Sequence, residues 1–141
     1  MSVKVYSFKD NRCVFTHPDV GTCVLSEGGV GRIAVSYQGE MARAMETADG
    51  NVIINKMEAN SGAVQLDIPQ VGDANEWLKK LCNYLRRANA DRFALGTIVI
   101  TSANDSITCT GVAPQKFADI AFDAEAQNRS WPFVCASIDM G

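Results

Sequence analysis

The side chains capable of chemistry are few and scattered. His17 is the single histidine. It stands in the turn His17-Pro18-Asp19-Val20-Gly21 with neither a G-x-S-x-G serine nor a cysteine paired to a base, so the parts of a nucleophilic site are missing. The five cysteines, Cys13, Cys23, Cys82, Cys109 and Cys135, are odd in number, widely spaced and without a C-x-x-C pair. They read as reduced, buried small hydrophobes rather than metal ligands. Asp67 with Asp73, or Glu40 with Glu46, would supply a carboxylate pair, yet nothing in the pattern buries either one. Gly28-Gly29-Val30-Gly31 invites comparison with a phosphate loop, but such a loop needs a helix directly after the glycines. Ile33, Val35 and Tyr37 continue in strand alternation instead, so the glycines mark a bend at a strand entrance. The expectation is no catalytic, cofactor-binding or metal site, and no enzyme.

The composition limits partners in the same way. Thirteen Lys and Arg against sixteen Asp and Glu give a net charge of -3, which opposes a nucleic-acid footprint built as a basic face. No apolar run approaches the roughly 18 residues that span a bilayer, and MSVKVYSFKD lacks the apolar centre of a signal peptide. The expectation is a chain that stays in the cytoplasm without membrane insertion. At 141 residues it has the length of one domain, 1–141, with a core of its own.

The elements that must position these residues are mostly strands. Val3 to Phe8 and Arg12 to Thr16 read as a hairpin around Lys9-Asp10-Asn11, and Thr22 to Leu25 as a short strand. The central feature is Asn51 to Ile68: Val52 to Lys56 and Val64 to Ile68 alternate on either side of Ala59-Asn60-Ser61-Gly62, which predicts a second hairpin. Asp73-Ala74-Asn75-Glu76 has the form of a capping box, opening a helix whose Trp77, Leu78, Leu81, Tyr84, Leu85 and Ala88 share one face. Lys79, Lys80, Arg86 and Arg87 lie off that face and read as solvated, the arginines suiting the helix C-terminus. Leu95 to Thr101 and Ser106 to Val112 predict a third hairpin around Ser102-Ala103-Asn104-Asp105. Pro114 ends it, Lys116 to Ala126 is mixed with Phe117 and Phe122 as anchors, and Arg129 to Ile138 is extended. Pro132 marks that last strand as an edge or a bulge.

Gln38 to Gly50 is too long for a hairpin connection. Met41, Met45, Ala42, Ala44 and Ala48 alternate there with Glu40, Arg43 and Glu46, more apolar than solvent requires, and either fold back or protrude into a neighbouring subunit. The fold class is therefore α+β, mainly β: an antiparallel sandwich or half-barrel with one flanking helix. Six copies placing their hairpins side by side would close the sheets into one large barrel and remove the edges. Gln65, Asp67, Ser106, Thr108 and Thr110 would then line a polar lumen that lets a polyanion slide without sticking.

Across nearly the whole chain, KVYSFKD, FTHPDVG, GVGRIAVSY, the Ala48-Asp49-Gly50 turn, the NSG turn, WLKKLCNYL and TGVAPQKFAD resemble the tail tube proteins of contractile-tailed bacteriophages. The resemblance implies hexameric rings stacked inside a contractile sheath, conducting genome DNA, with no enzymatic activity and no cofactor. It implies as partners further copies of the chain, the sheath protein, and baseplate and tail terminator proteins, in a virion tail assembled in the host cytoplasm. By position it makes 32–36, 52–56, 64–68, 95–101 and 106–112 the lumen barrel, which adds Ser36 and Asn55 to the lining residues. It makes 37–51 an arm between rings, carried by Gln38, Glu40, Met41, Arg43, Met45 and Glu46. Two other classes stay open: a ring of the type VI secretion kind carrying protein cargo, and a small monomeric binding domain or unrecognised enzyme.

Overall fold

The computed structural model describes residues 3–7, 10–26 and 31–141. Phe8 and Lys9 of the expected first hairpin, and Gly28, Gly29 and Val30 of the glycine run, lie outside the described residues. The strands are β1 (Arg12–His17), β2 (Gly21–Ser26), β3 (Arg32–Tyr37), β4 (Ala42–Glu46), β5 (Val52–Lys56) and β6 (Gly62–Pro69). A helix, α1 (Ala74–Arg87), precedes β7 (Gly96–Thr101), β8 (Ser106–Pro114) and β9 (Asn128–Met140). One antiparallel sheet of seven strands runs β2-β1-β7-β8-β9-β6-β3, and β4 and β5 form a separate pair.

The sheet curls. β7 and β8 lie between β1 and β9, yet the rings of Phe15 and Phe133 meet at 5.0 Å between centroids, edge to face. Strands spaced about 4.8 Å apart in a flat sheet would hold them far beyond that reach, so the inner face closes on itself as a half-barrel. Phe15 also meets Trp77 of α1 at 5.2 Å, which seats the helix over the mouth of the curl. Inside lie Leu25, Val64, Leu66, Ile68, Leu78, Leu81, Ile98 and Val112. All five cysteines are free and buried, as their spacing suggests. Gly111, at φ +64°, kinks β8 so that Cys109 and Val112 both reach the core although they stand three positions apart, which strict alternation would put on opposite faces.

Three expectations about pairing are corrected. The first hairpin joins β1 to β2 around His17–Gly21, not 3–8 to β1. Both edges of β1 are occupied, by β2 and β7, so 3–7 has no ladder to join there. Secondly, β5 does not pair with β6: β5 pairs with β4, while β6 lies between β3 and β9. The stretch expected to be a loop thus supplies a strand. Arg32 faces Asp67 and Ala42 faces Lys56, ten residues further along one strand and eleven back along the other. β3–β4 and β5–β6 are therefore one long hairpin interrupted near Gly39, where the backbone crosses Ala59 so closely that a Cβ would clash. Thirdly, β9 is an interior strand between β8 and β6. The Pro132 carbonyl accepts from Gln115 N–H at 3.0 Å, and in an antiparallel strand a residue's nitrogen turns to the same side as its carbonyl. The missing N–H therefore points past Pro114, where the β8 ladder has already ended.

The helix forms where expected, but without the capping box. Asp73 is itself in helical conformation (φ -66°, ψ -26°) and caps no N–H with its side chain, because an N-cap needs an extended backbone to turn its oxygen onto the first turn. Glu76 pairs outward with Lys79 at 3.4 Å. Asn75 fixes the start instead. Its buried Nδ2 donates to the carbonyls of Pro69 (2.7 Å), Gln70 (3.3 Å) and Gly72 (3.3 Å), and its Oδ1 accepts from Trp131 Nε1 at 2.9 Å.

Candidate functional site

Two surfaces stand out, and neither resembles a reaction centre. The first is the sheet face turned away from the core. Register places Ser36 beside Ala63, Gln65 beside Pro132 and Asp67 beside Ser130. Ser106, Thr108 and Thr110 face Thr101, Val99 and Thr97, and beyond them Thr108 faces Asp139 and Thr110 faces Ser137. Six of the seven expected lining residues thus share one continuous face. Asn55 is the exception: it lies on β5, opposite Arg43 in the separate pair, because β5 left the main sheet. The charge of this face balances, with Arg12 and Arg32 against Asp67 and Asp139 on its strands. Arg32 sits directly across from Asp67. Asp67 Oδ1 accepts from Ser130 Oγ at 2.6 Å and from Gln65 Nε2 at 3.2 Å, which holds the carboxylate along the sheet.

The second surface is the distal half of the long hairpin. Every residue of β4 and β5 is exposed. Ala42, Ala44, Glu46, Val52, Ile54 and Lys56 share one side by register, and Arg43, Met45, Ile53 and Asn55 the other. Met41 is 84% exposed, Ile54 70%, Val52 58% and Met45 52%. A two-stranded ribbon with both faces wet is marginal in water, and this one exposes apolar residues on both faces. Its tip is ordered by its own backbone: Thr47 N–H donates to Asn51 O at 2.9 Å, Gly50 N–H to Thr47 O at 3.1 Å, and Gly50 takes φ +84°. Of the expected arm residues, Arg43, Met45 and Glu46 lie on β4, and Gln38, Glu40 and Met41 at its base. Arg43 and Glu40 pair there at 3.6 Å.

His17 is better placed than a stray turn residue. Only 1% of it is exposed. Nδ1 accepts from Asp19 N–H at 3.1 Å, so Nε2 carries the proton donated to Arg92 O, also at 3.1 Å. The ring ties the β1–β2 turn to the segment after α1, and its neighbours supply no nucleophile. The thiols are equally withdrawn. Burial pushes Cys13 up to about 12 and Cys82 up to about 11 from an ordinary 9.0. Among the described residues no three acids, cysteines or histidines gather as metal ligands. None of the described helices is long and apolar enough to cross a membrane.

The fold is shared with chains from contractile injection machines. A chain of the anti-feeding prophage baseplate, six-fold symmetrised, superposes at TM-score 0.70 with 14% identity, over 100% of this chain and 97% of that one. A chain of the anti-feeding prophage tube-terminating cap gives 0.65 at 10% identity, covering 100% and 93%. A chain of the sheath–tube complex of an extracellular contractile injection system in its extended state gives 0.61 at 12% identity, covering 92% and 88%. No curated protein matches the chain in sequence. The model of the bacteriophage PhiTE tail tube protein family matches residues 3–141, and the chain belongs to that family. It is a structural component of a phage tail tube.

Proposed function

We propose that six copies close into a ring, that rings stack into a hollow tube, and that the tube conducts genome DNA without chemistry of its own. The observation that carries this reading is the unfinished sheet. β2 and β3 end the strand order with no further strand beyond them among the described residues, and such edges are stable where another copy covers them. Residues Ser36, Gln65, Asp67, Ser106, Thr108 and Thr110 then line the channel, and the wall is drawn without Asn55. A charge-balanced hydroxyl and amide wall suits passage, since Lys and Arg contacts to phosphates are what hold DNA.

The β4–β5 hairpin is the arm between rings, with Met41, Met45, Val52 and Ile54 as its apolar contacts. A strand rises about 3.3 Å per residue, so Met41 to Asp49 reaches roughly 25 Å beyond the body. The six-fold symmetry of a structural neighbour's assembly supports the ring, and the sheath, baseplate and cap settings of the neighbours support those partners within a virion tail. The test is electron microscopy of the chain with 42–56 replaced by a two-residue turn. The base can be bridged, because Met57 N–H donates to Met41 O at 2.9 Å. Rings without tubes are expected; tubes of ordinary length would remove the arm from this reading.

A further inference from the structure

Where α1 meets β9 and the 117–120 segment lies a groove apart from the residues assigned to the channel wall and to the arm. About 340 Å³ in volume, it is lined by Lys79, Arg86 and Arg129 together with Phe117, Ile120 and Trp131. Arg86 lies over the Phe117 ring at 5.5 Å. Arg129 Nε is buried with no hydrogen-bond partner among the described residues, and a buried guanidinium N–H left unpaired is costly. Among those residues neither Arg86 nor Arg129 has a carboxylate partner, and Lys79 has only the exposed Glu76. The groove is thus cationic at its rim, aromatic at its floor, and holds an unanswered donor in a chain whose net charge is -3.

The arm tip has the opposite character. Between Ala44 and Asn55 the only charged residues are Glu46 and Asp49, both exposed and without a partner among the described residues. Val52 stands across from Glu46 on the same side of the ribbon, and the Thr47–Asn51 turn presents the group in a fixed shape, which lowers the ordering cost of docking.

We infer that the acidic tip of one copy's arm, Glu46 to Val52, docks in the Lys79–Arg86–Arg129 groove of a second copy in the adjoining ring. Glu46 and Asp49 meet the cations, and Val52, on the same side of the ribbon as Glu46, rests against Phe117 and Ile120. The inference rests on the arm reaching a neighbouring copy. It adds the seat, and it makes stacking weaken as salt screens the exposed part of the contact.

The experiment introduces one cysteine at each side, Asp49→Cys with Asn83→Cys, in the full chain under mild oxidation. The native thiols are all buried and stay out of the reaction. A disulfide-linked ladder is expected for the double variant and not for either single one; tubes that form without a ladder overturn the seat. In parallel, Glu46→Lys with Asp49→Lys is expected to cut tube length at least tenfold, and adding Lys79→Glu with Arg86→Glu to restore it. A reversed tip that stacks normally, or a folded charge swap that restores nothing, overturns it as well. Groove variants that stack normally but lose sheath binding would assign the groove to an acidic sheath segment instead. Wild-type protein that makes no rings at all would fail the tube reading itself, and is distinguishable on that ground.

Discussion

Asn75 shows how much of the fold rests on one polar side chain. It closes three carbonyls at the β6–α1 junction and accepts the indole N–H of Trp131 from β9. Asn75→Ala leaves a buried N–H and a carbonyl unanswered, and each such loss costs about 1–3 kcal/mol. The expected outcome is a drop of about 2–4 kcal/mol in the unfolding free energy of the dissociated subunit, read from urea midpoints. The thiols give a second residue-scale expectation. Cys13 and Cys82 ionise near 9.0 when unfolded but only near 12 and 11 when folded. The folded state holds their protons more tightly, so the contribution is complete below about pH 9 and is lost as pH rises through 11 and 12. Urea midpoints measured at pH 8 and pH 10.5 should fall with pH, and Cys13→Ala with Cys82→Ala should flatten that fall.

At the scale of elements, the helix and the Gly96–Thr101 and Ser106–Pro114 hairpin were legible because their signals are local: a 3.6-residue stripe, and two alternating runs about a short polar turn. The pairing of β5 was not. Val52 to Lys56 announces a strand but not its partner, and the true partner, Ala-Arg-Ala-Met-Glu, is built from residues that favour helices over strands. Ala42–Glu46 becomes a strand because the hairpin that begins at β3–β6 continues past the Gly39 crossing. A contact of Gly39 with Ala59 leaves no trace in either local pattern. Gly39→Val is expected to distort the crossing and mis-aim the arm while leaving the half-barrel folded. Far-ultraviolet circular dichroism should be unchanged and tube length reduced; normal tubes would show that the crossing does not direct the arm. The polar face was legible for Ser36, Gln65, Asp67, Ser106, Thr108 and Thr110, since period two survives whatever the pairing. The fold role of His17 and Asn75 was hidden, because their partners Arg92 and Trp131 are remote in sequence.

Among the described residues the whole molecule is a curled sheet whose strand order ends at β2 and β3, with a charge-balanced outer face and a ribbon that its own body does not cover. Each feature is inexpensive in a polymer and awkward in a solitary chain, for exposed apolar ribbons and sheet edges favour association. The most direct measurement is negative-stain electron microscopy of the purified full chain, alongside its mass in solution. Rings or tubes with a central hole and six-fold symmetry, in multiples of six 15.2 kDa chains, are the predicted result. A stable monomer of 15.2 kDa at high concentration, with no ring in any field, would contradict the account.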